Sequence, residues 1–316
     1  MLTLDRVSKR YPNGQVAVHE LSLTVGDGET CVLVGPSGCG KTTTLRMINR
    51  LTEPTSGRIL LAGEDATRID PVRLRLRMGY VIQQVGLFPH MTVADNVATV
   101  PGLLGWDRDR IRRRVTELLE LVGLEPARFE ARYPHQLSGG QRQRVGVARA
   151  LGADPPVLLM DEPFGAIDRV TRDRLQNEFL RIQAQMRKIV VFVTHDIDEA
   201  VKMGDRIAIL RQGGILEQYD TPARVLARPA TPFVADFLGP DRGAKRLSVV
   251  RIDPQRLEKA TRVPTDAEVP VDATLADALS AMLLHDTDRV RVCRDGEVLG
   301  VMTLGTLLET AAAYHG

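Results

Sequence analysis

The sequence predicts an α/β protein with a parallel sheet, followed by a second, smaller module. Three observations predict this. A glycine-rich stretch, Gly35-Pro36-Ser37-Gly38-Cys39-Gly40-Lys41-Thr42, lies directly between a predicted strand and a predicted helix. After residue 157, short apolar runs alternate with helical segments, the order expected of strands laid parallel. Near residue 239 the character changes at Gly239-Pro240-Asp241-Arg242-Gly243, and a separate strand–helix pattern begins. At 316 residues the chain has room for one large domain and a small one, at roughly 100–200 residues per domain.

Residues 2–7, 21–25 and 30–34 read as short strands, with Asn13-Gly14 and Asp27-Gly28 supplying turn chemistry between them. A helix follows from Lys41 to about Arg50, then a strand over 58–61. From Thr92 to Leu151 the chain reads as mostly helical, with Ile111, Val115, Leu118, Leu119 and Val122 at helical spacing. Strands return at 157–160, 189–194 and 206–210. The tail reads strand 268–271, helix 275–284, strands 290–293 and 298–302, and helix 304–310. The expected layout is a large domain over 1–238 with a helical insert at about 92–152, a linker over 239–250, and a small module over 251–316.

Composition excludes several functions. Forty-two basic side chains against forty acidic ones leave a net charge of +2, too balanced for a general nucleic-acid binder. The cluster Arg112-Arg113-Arg114 reads as a solvated helix face. The longest apolar runs, such as 156–160, fall far short of the ~18–20 residues that a spanning helix needs. The start, Met1-Leu2-Thr3-Leu4-Asp5-Arg6, lacks the basic-then-apolar pattern of a signal peptide. Cys31, Cys39 and Cys293 are scattered and odd in number, offering neither a disulfide framework nor metal-ligand spacing. The chain is expected in the cytosol, reaching a membrane only through a partner.

Three motifs carry chemistry. In the glycine-rich loop, glycines let backbone N–H groups turn inward around phosphate oxygens, and the following helix adds its positive N-terminus. Lys41 would reach the β- and γ-phosphates, and the Thr42 hydroxyl would bind Mg²⁺. By average residue usage, this pattern arises by chance in about one chain per hundred of this length. The apolar strand Val157-Leu158-Leu159-Met160 ends in Asp161-Glu162, where open α/β sheets bind ligands. Asp161 suits Mg²⁺, usually through water, and Glu162 suits polarising an attacking water. The third motif, Leu137-Ser138-Gly139-Gly140-Gln141, opens another helix whose N-terminus carries partial positive charge. Ser138 can donate to an oxygen, and the two glycines permit close backbone approach.

In this order, these elements resemble the nucleotide-binding domain of ATP-binding cassette transporters over roughly residues 1–237. The resemblance implies a P-loop (RecA-like) core with an antiparallel β subdomain and a helical insert, using ATP and Mg²⁺. It places the nucleotide on Gly35, Pro36, Ser37, Gly38, Cys39, Gly40, Lys41, Thr42 and Thr43, with Tyr11 where the family stacks an aromatic on adenine. It gives Mg²⁺ to Thr42, Asp161 and Gln83, the last in Val81-Ile82-Gln83-Gln84, with Gln84 the neighbouring candidate. Gln83 would also sense the membrane partner. Glu162 would be the base or water-orienting group, and His195, after the strand 190–194, would hold the γ-phosphate. Phe164-Gly165-Ala166-Ile167-Asp168 resembles the loop passing between two subunits. Ser138, Gly139, Gly140 and Gln141 would complete the site of the opposite subunit, so the working unit would be a pair of identical chains. A reagent that modifies Cys39 inside the loop is expected to block ATP binding, with protection by nucleotide.

The resemblance also implies partners: two transmembrane permease subunits and, indirectly, an extracytoplasmic solute-binding protein, with no nucleic acid. The chain would then sit on the cytoplasmic face of the cell membrane. The segment 80–93, Tyr-Val-Ile-Gln-Gln-Val-Gly-Leu-Phe-Pro-His-Met-Thr-Val, and Val100-Pro-Gly-Leu-Leu-Gly-Trp106 look like importers of quaternary amines. Those importers take up glycine betaine, carnitine or choline as osmoprotectants. Another import substrate (an amino acid, polyamine or sugar) and a non-transport cassette ATPase are the alternatives. The tail resembles a single cystathionine-β-synthase-type motif. Its ending, Gly300-Val301-Met302-Thr303-Leu304-Gly305-Thr306, has Thr306 where that motif carries a ribose-binding aspartate. Packing between two copies is therefore as good a reading as nucleotide or ionic-strength sensing.

Overall fold

The structure, a computed structural model, describes residues 1–82, 86–165, 168–259 and 266–313. Two compact units divide the chain, Met1–Tyr219 and Asp220–Gly316.

The first unit contains two sheets. Its six-stranded sheet runs in the order Ile215–Asp220, Arg206–Arg211, Thr30–Val34, Ile189–Thr194, Val157–Asp161 and Met78–Val81, and the last five pair in parallel. Every residue of Thr30–Val34 and of Ile189–Thr194 is buried. Parallel strands covered on both faces read as such continuous apolar runs. The second sheet is antiparallel, ordered Val16–Val25, Leu2–Arg10, Ser56–Leu61 and Glu64–Asp65. Its side chains alternate, Leu2, Leu4 and Val7 facing in while Arg6 and Arg10 face water. These inward residues join Leu45 and Ile48 of the helix Lys41–Ile48, together with Leu33, Leu159 and Val191, in one core between the sheets.

The first two strands are longer than the sequence suggests, because the chain turns only once, at Asn13-Gly14, where the Gly14 N–H donates to Tyr11 O. The polar residues Ser8, Lys9 and Arg10 are half-buried or exposed on a paired strand and so lack an apolar signal. Met78–Val81 was unforeseen for a different reason, since four residues carry no period of their own. Gly79 is needed there: a Cβ on it would lie 2.4 Å from Ala150 O. The expected helical insert is present as Val93–Leu103, Arg108–Leu121, Pro126–Phe129 and Gly139–Ala150.

The second unit has a three-stranded sheet, Glu268–Pro270 parallel to Arg289–Arg294, which is antiparallel to Glu297–Thr303. The helices Leu275–Leu284 and Leu304–Ala313 accompany it, and Val250, Leu275, Val290, Met302 and Leu307 form its own core. Three short helices, Pro222–Ala227, Pro232–Leu238 and Arg242–Leu247, precede the sheet. The first two begin at Thr221 and Thr231, whose side chains accept from Arg224 N–H and Val234 N–H, with proline at the first turn. The third lies inside the stretch 239–250 that reads as a linker in the sequence.

Candidate functional site

Three neighbouring parallel strands, Thr30–Val34, Ile189–Thr194 and Val157–Asp161, end on one edge of the sheet and bring the first two motifs together. The glycine-rich loop leaves the first strand and enters the helix Lys41–Ile48. Gly40 holds φ 103, and a Cβ on it would lie 2.2 Å from Ala17 O; one on Gly35 would lie 2.1 Å from Leu210 O. Only glycine allows the loop to lie this close to its walls. Ser37 is exposed at the tip, where its carbonyl accepts from Gln212 Nε2 at 3.0 Å.

Lys41 is buried inside the curl of this loop. Its ammonium donates to Gly35 O at 2.6 Å and to Pro36 O at 3.0 Å. Phosphate oxygens could replace those carbonyls without leaving the charge unsolvated. The Cys39 thiol is buried in the core cluster, 3.7 Å from Lys41 Nζ, and burial pushes its pKa up.

Thr42 Oγ1 donates to Asp161 Oδ1 at 3.0 Å, joining the loop helix to the acidic strand end. Burial pushes the Asp161 carboxyl above the usual carboxylate range, and the neighbouring Glu162 charge adds to this. A hydroxyl and a partly buried carboxylate are hard oxygen donors of the kind Mg²⁺ takes, while water and phosphate fill its remaining positions. Among the described residues no three His, Cys, Asp or Glu side chains gather as an all-protein cage.

Glu162 has φ 44, a left-handed conformation that a non-glycine residue seldom adopts, and its N–H donates to Val193 O at 3.0 Å. The sharp turn carries its carboxylate to His195, with Oε2 3.2 Å from Nδ1. The His195 ring is 59% exposed against 22% for the Glu162 side chain. A protected carboxylate beside an accessible imidazole, both next to an anion-binding loop, can orient water and bind a phosphate oxygen.

The third motif lies on the helical insert. Ser138 caps the helix Gly139–Ala150: its Oγ accepts from Gln141 N–H at 3.2 Å, and Gln141 Oε1 accepts from Ser138 N–H at 2.9 Å. That helix packs against Val93–Leu103, Arg108–Leu121 and Met78–Val81. Within one chain, Ser138, Gly139 and Gly140 therefore present a helix end on the insert, while the glycine-rich loop belongs to the strand ends. A Cβ on Gly140 would touch Thr171 Cγ2 at 3.4 Å. Thr171 lies in the helix Arg169–Met186, capped by Asp168, whose carboxylate accepts from Thr171 N–H at 3.1 Å. These bonds hold the Asp168 carboxyl below its ordinary range.

Tyr11 stands at the tip of the first hairpin, half-buried, with the Lys9 ammonium 5.4 Å from its ring centre. The same hairpin brings Ala17 against Gly40. Thr43, half-buried, follows in the first turn of the loop helix. Gln83 and its neighbour Gln84 lie outside the described residues. Arg149 Nη1 donates to Gly86 O at 2.7 Å.

Sequence reasoning missed Tyr80 and Arg46, whose side chains bear on the Asp161 carboxyl, and Gln212 at the loop tip. Gln212 sits in no motif, and Tyr80 opens the segment 80–93 without a role at the carboxylates being assigned to it. Each reaches the site from a strand or turn that is remote in sequence.

Comparison with known proteins follows the same lines. The sequence pattern described as "ABC transporter" matches residues 18–165. The glycine betaine/carnitine/choline transport ATP-binding protein OpuCA of Bacillus subtilis is 50% identical over 299 residues, covering 95% of this chain and 77% of its own. The glycine betaine uptake system ATP-binding protein YehX of Escherichia coli is 46% identical over 312 residues, covering 98% and 100%. Among solved structures, the ATP-binding cassette MJ0796, described as dimeric in a post-hydrolysis state with ADP and Pi, superposes with a TM-score of 0.62 at 35% identity. The match spans 70% of this chain and 99% of that one.

Proposed function

The chain belongs to the ABC transporter family, among its ATP-binding ATPase subunits, and from that premise we propose that it powers the import of quaternary-amine osmoprotectants. The observation that carries the catalytic part is the meeting of Lys41, Thr42, Asp161, Glu162 and His195 at three adjacent strand ends. The cargo class rests on the similarity to importers of glycine betaine, carnitine and choline along nearly the whole chain.

In this reading, Lys41 and the loop amides hold the ATP phosphates, with Tyr11 against the adenine. Thr42, Asp161 and Gln83 hold Mg²⁺, which neutralises charge on the phosphate oxygens when bound. Glu162 would orient the attacking water and accept its proton as the new O–P bond forms and the bond from the γ-phosphorus to the bridging oxygen breaks, that oxygen leaving with ADP. His195 binds the γ-phosphate oxygens, and its contact with Glu162 keeps the two groups in step. Ser138, Gly139, Gly140 and Gln141 of one copy close over the nucleotide of the other, with Asp168 between the two. The exposed, pre-capped helix end at Ser138 supports this, because its N-terminal dipole faces outward from its own chain.

Coupling to the membrane requires a docking face. A groove of about 380 Å³ runs between Tyr80, Ile82, Phe88, Val100 and Arg149. The apolar side chains of Phe88, Leu103 and Leu104 remain exposed in this part of the chain. We assign this face to a segment of each of two permease subunits, which in turn would receive solute from an extracytoplasmic binding protein. No helix among the described residues is long and apolar enough to cross a membrane, so the chain would hold to the cytoplasmic face through those subunits. The module at 251–316, read as a single cystathionine-β-synthase-type motif, would steady the pair or sense the cytoplasm.

The test is uptake of labelled glycine betaine, carnitine, choline, proline and spermidine after a salt upshift, in cells lacking redundant carriers. Native protein is compared with Glu162→Gln. Loss of quaternary-amine uptake alone is the expected outcome. Loss confined to spermidine or proline would replace the cargo class and leave the motor in place. Near-normal ATP turnover by purified Glu162→Gln, expected to fall by about 100-fold or more, would remove the catalytic assignment itself.

A further inference from the structure

We propose that Glu199 and Gln176 form a positioning pair that sets His195 against Glu162, an inference that rests on the hydrolytic role given to those two residues above. The His195 ring is 59% exposed, so packing does little to fix it, and its place is decided by the backbone on either side. The two flanking residues are tied to each other and to the start of the next helix, which carries the buried Glu199. Thr194, the last residue of its strand, is 1% exposed; its hydroxyl accepts from Asp196 N–H at 3.0 Å and bears on the Glu199 carboxyl. Asp196 caps the next helix, Ile197–Met203, and its side chain accepts from Asp198 N–H at 2.9 Å and Glu199 N–H at 3.4 Å.

Glu199 is in turn fixed from the neighbouring helix. Gln176 Nε2 donates to Glu199 Oε1 at 2.9 Å, and the two residues are 5% and 7% exposed. One turn earlier on the same helix, Arg172 Nη1 lies 3.7 Å from Asp196 Oδ2. Arg172 and Gln176, four residues apart, thus meet Asp196 and Glu199, three apart, in two rungs that fix the helix start directly after His195. Taking a carboxylate out of water costs stability unless its bonds are well made. An apolar pair would fill the same space without that cost, so a packing role alone leaves the polar pair unexplained. Holding the His195 turn explains it.

The experiment uses the full chain and steady-state ATP hydrolysis, with ATP affinity followed by a fluorescent ATP analogue and His195 by NMR of ¹³C-labelled histidine. Glu199→Ala is expected to lower kcat by about 10-fold to 100-fold, the scale of a misplaced catalytic group, with KM and ATP affinity within about twofold. The His195 ring resonances should shift or broaden. Glu199→Gln, whose amide oxygen still accepts from Gln176, is expected to restore most of kcat and the native His195 signals. Gln176→Ala should show a smaller fall in the same direction and remains informative where Glu199→Ala folds poorly. All rates are taken per folded molecule, from thermal melts. Unchanged kcat and His195 signals in folded Glu199→Ala or Gln176→Ala would overturn the proposal. So would a kcat loss in Glu199→Ala that Glu199→Gln does not relieve. His195→Ala and Glu162→Gln serve as controls. If they retain turnover, the underlying catalytic reading fails; if they lose it while the pair variants do not, only the positioning role fails.

Discussion

Cys39 shows how far a residue's place in a motif can differ from the place of its side chain. It sits between two loop glycines, yet its Sγ lies in the main core, and Cys31 and Cys293 are buried as well. Thiolate is the reactive species, and burial raises the Cys39 pKa, so the folded protein should resist alkylation. Iodoacetamide labelling of Cys39, followed by mass spectrometry, is expected to be slow with or without ATP and to accelerate only on unfolding. Rapid labelling that ATP suppresses would show that the thiol faces the nucleotide after all. Glu162 presents the opposite case: the sequence marks the residue, but its left-handed φ of 44 and its 3.2 Å approach to His195 are visible only once two strands lie side by side.

Among the elements, the helix Gly139–Ala150 couples a structural role to a proposed functional one. Ser138 and Gln141 cap each other reciprocally, so Ser138→Ala removes a capping bond worth about 1 kcal/mol. In a chain of this size that corresponds to a fall of about 2–4 °C in melting temperature. ATPase activity should fall far more than such a stability change explains, because the same hydroxyl is assigned to the opposite copy's nucleotide. Calorimetry and hydrolysis on one preparation check both; activity falling only in step with the folded fraction would reduce Ser138 to a cap. The helix itself was readable from its S-x-x-Q start and its period. The strand Met78–Val81 that it packs against was not, because its only sequence mark is Gly79, whose need arises from the closeness of Ala150 O.

On the scale of the whole molecule, each of the two compact units holds a core of its own. Scanning calorimetry of the full chain should therefore resolve two transitions. Leu275→Ala, in the small unit's core, is expected to cost about 2–5 kcal/mol and to lower only that unit's transition. A single transition lowered as a whole would mean that the two units fold as one. ATP should raise the transition of Met1–Tyr219, since a ligand stabilises the fold that binds it.

By itself the sequence determined the α/β class, the phosphate loop, the acidic strand end and the capped helix of the insert, together with the family these imply. Each of these is a local matter: glycines where the backbone must turn tightly, apolar runs where strands are covered on both faces, and a cap where a helix begins. Only the tertiary structure decided that the Cys39 thiol is buried, that Tyr80 and Arg46 bear on Asp161, and that Glu199 and Gln176 brace the His195 turn. The physical reason is separation along the chain. Gln176 and Glu199 lie 23 positions apart and Thr42 and Asp161 lie 119 apart, so no local period or propensity links them, and their contacts exist only once the parallel strands and their helices have packed.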